Sequence, residues 1–187
     1  MKGNSDKLKY DMVAITLHWV MAICILLMLG SGIAFDNIPM DKSFKFSMYQ
    51  WHKSLGLLLL AAVFVRIRWR LFHKPPAEPV QIPKRDQKLA LIGHWALYAL
   101  MIAMPFAGWM MVSSSSYGLP TYIFGLFEWP HLPYMAGDKS INGLAKSIHY
   151  YGGWAFIGMI AAHTGAVVKH YYFDHVNLLS RMGIGKS

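Results

Sequence analysis

The sequence predicts an all-α integral membrane protein, a bundle of four transmembrane helices that forms a single domain over residues 1–187. Of the 187 residues, 55% are hydrophobic and only 14% are charged, which is too apolar for an ordinary soluble domain. Three runs without any charged residue, 12–35, 89–112 and 148–168, are each long enough to cross the hydrocarbon core of a bilayer. Composition and run length together place the chain in lipid.

The second span rests on a weaker pattern than the other three. Its uncharged part covers only residues 54–65, but Lys53 at one end and the arginines that begin with Arg66 at the other can extend to the lipid headgroups. A soluble three-helix alternative would leave the run LGLLLLAAVFV in water, which is less favourable. The predicted spans are 12–35, 51–72, 89–112 and about 148–170.

Basic residues at the ends of these spans indicate the orientation. With four spans, both termini share one side with the middle connection, and that side carries thirteen Lys or Arg residues against five opposite. The excess predicts that both termini are cytoplasmic. The thirteen are Lys2, Lys7, Lys9, Arg66, Arg68, Arg70, Lys74, Lys84, Arg85, Lys88, Lys169, Arg181 and Lys186. The five are Lys42, Lys45, Lys53, Lys139 and Lys146.

The net charge of +9 follows from this distribution. Because the basic residues flank spans and no recognition module is present, we expect the lipid bilayer as a partner and no nucleic acid. The Pro-rich middle connection, HKPPAEPVQIPKRDQ, predicts a stiff cytoplasmic linker. The last connection, 113–147, contains YIFGLFEWPHLPYM, which is aromatic enough to lie at the membrane interface.

Five of the nine histidines lie inside spans and fall in two layers. His18, His94 and His163 lie five or six residues from the cytoplasmic ends of their spans and form an inner layer, whereas His52 and His149 begin their spans from outside and form an outer layer. Fourteen residues of α-helix rise about 21 Å and turn to within about 40° of the starting direction, so His149 and His163 share a helix face. A lone imidazole bonded to a backbone carbonyl is a common alternative, but two layers of ionisable groups in a membrane favour a function.

Paired layers of imidazole are typical of haem ligation, because a haem iron takes two axial imidazoles that helices of a bundle can supply. The two layers predict two haems, held without covalent attachment since no C-x-x-C-H motif occurs. In the outer layer only His52 and His149 are available. In the inner layer the spacing favours His163 but does not choose its partner between His18 and His94. A metal-ion permease is the non-redox alternative, although such sites usually add carboxylates, which the three uncharged runs lack.

Arg66 is a candidate partner for a haem propionate. It follows His52 by fourteen residues, the same interval that separates His149 from His163, and should therefore reach the depth of the inner layer. A guanidinium there can bind a carboxylate through two hydrogen bonds. The alternative is that Arg66 extends to lipid phosphates.

His170 is a candidate contact for a quinone. It lies seven residues after His163, on nearly the same face and about 10 Å nearer the cytoplasm. An imidazole there can donate a hydrogen bond to a quinone oxygen and carry a proton. The alternatives are an interfacial anchor at His170 and an outer quinone site around Phe127 and Trp129.

Four segments of the chain resemble the bacterial cytochrome b-561 family, small four-span dihaem proteins related to the cytochrome b subunits of hydrogenases. They are YDMVAITLHWVMAICI, WHKSLGLLLLAAVFVRIRWRL, GHWALYALMIAMPFAGWMM and KSIHYYGGWAFIGMIAAHTGAVVKHYY. The tail DHVNLLSRM is also similar to the family's ending, so the resemblance covers nearly the whole chain. It implies that His18 with His163, and His52 with His149, are the axial ligands of two haem b groups.

The resemblance also implies a place in the bacterial inner membrane and electron exchange with ubiquinone or another quinone. The leading prediction is a dihaem cytochrome that transfers electrons between the quinone pool and an unidentified periplasmic partner. The alternatives are a superoxide oxidase that reduces ubiquinone, since some members resemble such enzymes, and a haem b membrane anchor of a dehydrogenase or hydrogenase. No residue is predicted to be catalytic.

Overall fold

The computed structural model describes residues 9–185, and four long helices make up most of it. They are α1 (Met12–Asn37), α2 (Lys42–Phe72), α3 (Lys84–Ser113) and α4 (Lys139–Tyr172), and a short helix α5 (Leu178–Arg181) follows. Each long helix contains one predicted span. Of the residues counted for the orientation, Lys2, Lys7 and Lys186 lie outside the described part of the chain.

Aspartates fix the starts of three long helices. The side chains of Asp11, Asp41 and Asp138 accept hydrogen bonds from backbone amides in the first turns of α1, α2 and α4. Helix α3 begins instead after Pro83, which makes no side-chain cap. Because α2, α3 and α4 begin in polar sequence, they start well before the apolar runs from which the spans were predicted.

Three of the helices, α1, α3 and α4, are long and apolar enough to cross a membrane. Their surfaces suit lipid, since side chains such as Ile23, Leu27 and Ile92 are more than half exposed. Helix α2 has a similar length, but its lysines and arginines leave a shorter apolar stretch in the middle. The buried Leu59 and Val63 of that stretch lie in the core of the bundle.

Close backbone packing joins α1 with α2, α2 with α3, and α3 with α4. Within residues 9–185, no comparably close packing joins α4 with α1 or α2. The backbone of α4 therefore stands farther from α1 and α2 than from α3. The shared core consists of Met21, Ile25, Leu59, Val63, Tyr98 and Phe156.

A β-hairpin interrupts the long connection between α3 and α4. Strands β1 (Thr121–Ile123) and β2 (Phe127–Trp129) pair antiparallel, with Tyr122 opposite Glu128. The all-α prediction did not include this hairpin, because strands of three residues are too short to show an alternating pattern. Phe124 and Gly125 reverse the chain with φ values of +48° and +75°, and the Leu126 amide donates to the Ile123 carbonyl at 2.9 Å.

The hairpin is fastened to α2 on both sides of His52. Lys53 Nζ donates to the carbonyl of Pro120 at 2.7 Å. The Gln50 side chain accepts from the amide of Tyr122, and Ser54 Oγ accepts from the amide of Phe124 in the hairpin turn, both at 3.0 Å. The outer end of α2 and the hairpin therefore form one unit.

Arg181 joins three parts of the chain at the end of the bundle where both described termini lie. Its buried guanidinium donates to the carbonyls of Pro76 and Ala77 at 2.9 and 2.8 Å and to Glu78 at 3.1 Å. It also lies over the ring of Tyr10, whose amide donates to the Arg181 carbonyl at 3.1 Å. The tail, the Pro-rich linker and the segment before α1 are thereby tied together.

Candidate cofactor site

The five span histidines meet in two places inside the bundle. In the outer layer, the ring centroids of His52 on α2 and His149 on α4 are 6.2 Å apart. In the inner layer, the centroids of His18 on α1 and His163 on α4 are 6.3 Å apart, and that of His94 on α3 is 5.7 Å from His163. Two of these ring pairs bridge α4 to the helices from which its backbone stands apart.

The ring separations can be compared with those around a six-coordinate iron. A bond from a metal to an imidazole nitrogen is about 2.0 Å, and the ring centroid lies about 1.15 Å beyond it, so two axial imidazoles have centroids about 6.3 Å apart. The His52–His149 and His18–His163 distances match this value. The His94–His163 distance of 5.7 Å is too short for a linear arrangement. The two matching pairs can therefore each hold one iron.

In the outer layer, the second ring nitrogen of each histidine has a neutral acceptor. His149 Nδ1 donates to the carbonyl of Met104 at 3.1 Å. His52 Nδ1 lies 2.7 Å from Ser31 Oγ, whose own proton goes to the carbonyl of Met28. Ser31 therefore accepts from His52, and this network assigns the proton to Nδ1 of both histidines. Each Nε2 is left with the lone pair that an iron requires.

The inner layer is arranged differently because Arg66 of α2 extends into it. Arg66 Nη2 lies 3.3 Å from His18 Nδ1, and Nε donates to the Tyr98 hydroxyl at 3.2 Å. Arginine has no acceptor, so His18 Nδ1 accepts and neutral His18 carries its proton on Nε2. An iron bond through Nε2 requires Arg66 to release Nδ1. Within residues 9–185, the imidazole of His163 has no hydrogen-bond partner.

His170 belongs to a separate ion network where α4 ends. Its side chain is only 8% exposed, and Nδ1 lies 2.5 Å from Asp174 Oδ2. Lys169 Nζ is 3.0 Å from Asp174 and 2.5 Å from Asp86 at the start of α3. The Lys169 hydrogen bond, followed by that of His170, lowers the pKa of Asp174. The network joins α3 to α4, and His170 is packed within it.

Some residues around the two layers carry little signal in the sequence. Ser31 could have been noticed as a polar side chain in an apolar span, but its distance to His52 could not. Met104 contributes a backbone carbonyl, which no residue type reveals. Asp86 and Asp174 are far apart in the chain, so only the spacing of four residues between His170 and Asp174 was available as a local clue.

The fold and the site define a class: a helical membrane protein whose paired histidines can hold iron inside the bundle. The sequence model of the prokaryotic cytochrome b561 family matches residues 9–185, and the chain belongs to that family. This confirms the resemblance seen in the sequence. The protein is a membrane cytochrome of electron transport, and family membership implies haem of the b type.

Three curated relatives align with nearly the whole chain. Cytochrome b561 homolog 2 of Escherichia coli (strain K12) is 27% identical over 179 residues, which cover 96% of this chain and 93% of the relative. Cytochrome b561 homolog 1 of the same organism is 26% identical, with coverages of 93% and 96%. The probable superoxide oxidase CybB of Yersinia pestis is 28% identical, with coverages of 93% and 95%.

Proposed function

We propose that the protein is a dihaem cytochrome that carries electrons across the bilayer between the quinone pool and a partner at the outer face. His18 with His163, and His52 with His149, are the proposed axial ligands. The observation that carries this proposal is the pair of ring separations, 6.3 and 6.2 Å, which suit two axial imidazoles. When bound, haem b supplies the one-electron chemistry.

Helix α4 sets the distance between the two layers. It contributes both His149 and His163, and fourteen residues of continuous helix separate these by a rise of about 21 Å. That rise covers roughly two-thirds of a bilayer core about 30 Å thick. Two sites on one helix therefore support transfer from one side of the membrane to the other.

Arg66 is the residue that we propose for a propionate of the inner haem. Among the described residues its guanidinium forms no ion pair, although it lies inside the bundle against Tyr98 and His18. A carboxylate would satisfy this charge better than a phenol and an imidazole do. If the guanidinium moved to a propionate, it would release His18 Nδ1. The His18 proton could then lie on Nδ1, which would leave Nε2 free for the iron.

We place the quinone contact at His170 and the termini in the cytoplasm. With Nδ1 bonded to Asp174, Nε2 is the atom left to face a quinone oxygen. Reduction of a quinone takes up two protons with two electrons, and the His170–Asp174 pair offers a route for them. The buried ring must become accessible for this contact. A reporter fused after Ser187 tests the orientation, since it should be active in the cytoplasm only.

Superoxide oxidation is a second candidate function. Lys53 is next to His52 and is held by its 2.7 Å hydrogen bond to Pro120, so a fixed cation lies beside the outer layer. Such a charge attracts anions. Each superoxide would give up one electron and leave as O₂, and two such electrons with two protons would reduce one quinone to quinol.

Optical spectroscopy of the purified protein tests both candidates. Pyridine haemochrome analysis should give two haem b per chain. Quinol should reduce the haems if the protein exchanges electrons with the quinone pool, and superoxide should do so if it is an oxidase of that anion. One haem or none in the unmodified protein would contradict the ligand assignment.

A further inference from the structure

Helix α3 supplies neither of the outer ligands, yet it contacts one of them at two points. The Met104 carbonyl accepts the Nδ1 proton of His149, and Gly108, one turn later, lies against the same ring. We infer that residues 104–108 of α3 position His149, fixing its proton and ring plane and thereby the redox potential of the outer haem. This inference rests on the proposed function, because it takes His149 as a haem ligand.

Gly108 allows the ring to approach the helix backbone. A Cβ atom at this position would lie 3.3 Å from His149 Cε1 and 3.5 Å from Nδ1. The 3.3 Å separation is tighter than most Cβ contacts, so with any side chain the imidazole would have to move by a few tenths of an ångström, whereas 3.5 Å is an ordinary van der Waals contact. The displacement would act at Cε1, the ring atom beside the nitrogen that donates to Met104.

The hydrogen bond to Met104 has a chemical consequence for the ligand. A metal-bound histidine that donates its other N–H to a carbonyl has a fixed tautomer and is a more basic ligand. A more basic ligand favours oxidised iron and lowers the redox potential of the haem.

Helix α4 in turn provides the surface against which the Met104 side chain packs. A Cβ atom on Gly152, one turn after His149, would lie 2.5 Å from the Met104 sulfur. The Met104 side chain therefore fills the space over Gly152 while its carbonyl binds His149. Met104 is held in place by the same helix whose histidine it orients.

His163, on the same face of α4, has no equivalent support. Its ring lacks a hydrogen-bond partner within the described chain, and an added Cβ at the neighbouring Gly165 meets no described atom within 4 Å. The hydrogen bond to α3 is thus particular to the outer ligand, whereas His163 meets α3 only through the ring of His94, 5.7 Å away. Disturbing it should change one haem and leave the other as it was.

The first test is Gly108→Ala in the full-length, haem-loaded protein, with Gly158→Ala as control because a Cβ there meets no described atom within 4 Å. Haem content, potentiometric titration and electron paramagnetic resonance of the oxidised protein are measured. Gly108→Ala should keep two haems, raise one potential by about 59 mV, which is tenfold for one electron, and move one low-spin signal. The control should change neither. Unchanged potentials and signals, or equal shifts of both haems, would overturn the inference.

A rescue experiment decides the matter if Gly108→Ala does not accumulate. Gly152→Ala should disturb the outer haem signal because its new Cβ meets the Met104 sulfur. Met104→Ala in the same chain removes that sulfur, keeps the carbonyl, and should restore the signal. A signal that is not restored contradicts the inference. Failure of the proposed function would look different, since the unmodified protein itself would then hold fewer than two haems.

Discussion

The two histidine layers of this protein differ in the hydrogen bonds that their imidazole rings make. In the outer layer, His52 and His149 each donate an Nδ1 proton to a neutral oxygen, so both are prepared as ligands. In the inner layer, His18 faces the guanidinium of Arg66 instead, and a third imidazole, His94, lies beside His163. The proposed outer ligands are fixed by their hydrogen bonds, whereas His18 can act as the proposed inner ligand only if Arg66 releases its Nδ1.

This difference should give irons in the two layers different redox potentials. Acceptors behind the outer ligands favour oxidised iron, and a cation beside the inner layer favours the reduced, less positive iron. Both effects make the redox potential of the outer layer lower than that of the inner layer. We therefore expect the outer haem to have the lower potential, so that an electron delivered at the outer face moves inward.

Removal of single histidines should produce the largest effect. His149→Ala should abolish binding of the outer haem and His18→Ala that of the inner one, because each takes one of two axial ligands from its iron. Haem content should fall from two to one in each case, measured by pyridine haemochrome. His94→Ala is the matched control and should keep two. The reverse pattern, with His94 needed and His18 dispensable, would exchange their roles.

The second largest effect should come from the site where quinol delivers electrons or quinone accepts them, which we propose near the inner layer. His170→Ala, with both haems retained, should slow haem reduction by quinol at least tenfold in stopped-flow measurements, because general acid–base groups typically contribute that much or more. His175→Ala, an exposed histidine beyond the end of α4, is the control. An unchanged rate for His170→Ala would direct the search to the outer hairpin around Phe127 and Trp129.

Removing the positive charge of Arg66 from the inner layer should have the smallest effect. Arg66→Met should lower the inner potential by about 30 to 60 mV, a three- to tenfold change in equilibrium for one electron, and leave the outer potential unchanged. Arg68→Met is the control, since that exposed guanidinium lies over the Phe72 ring, 5.2 Å from its centroid. An inner potential that stays constant would mean that Arg66 does not govern the difference between the layers.

The sequence predicted the long helices and the two histidine layers because both follow from local patterns. Hydropathy locates apolar runs, and helix geometry gives the spacing of His149 and His163. The choice between His18 and His94 could not follow from spacing, because the rotation of each helix about its axis is set by packing. The ring distances to His163, 6.3 Å for His18 and 5.7 Å for His94, favour His18 as the proposed ligand, as the family resemblance does.

Other features were hidden from the sequence for different physical reasons. The hairpin was missed because its strands are too short for a pattern, and the Met104 carbonyl because backbone atoms are common to all residues. The ion network of His170 joins residues distant in the chain, so only folding brings Asp86 to Lys169. Arg66 was predicted at the right depth by counting residues along α2, but its contact with Tyr98 depends on a neighbouring helix.

The sharing of α4 by both ring pairs has a consequence for how the protein is made. The chain leaves the ribosome from its N-terminus, so His18 and His52 enter the membrane long before their counterparts on α4 exist. Neither of the proposed pairs, His18 with His163 and His52 with His149, is complete until α4 has been inserted. The contacts of Arg181 with Pro76 and Ala77 form later still and close one end of the bundle. We therefore expect loading with haem to be a late event in biogenesis, because the same helix completes both proposed sites.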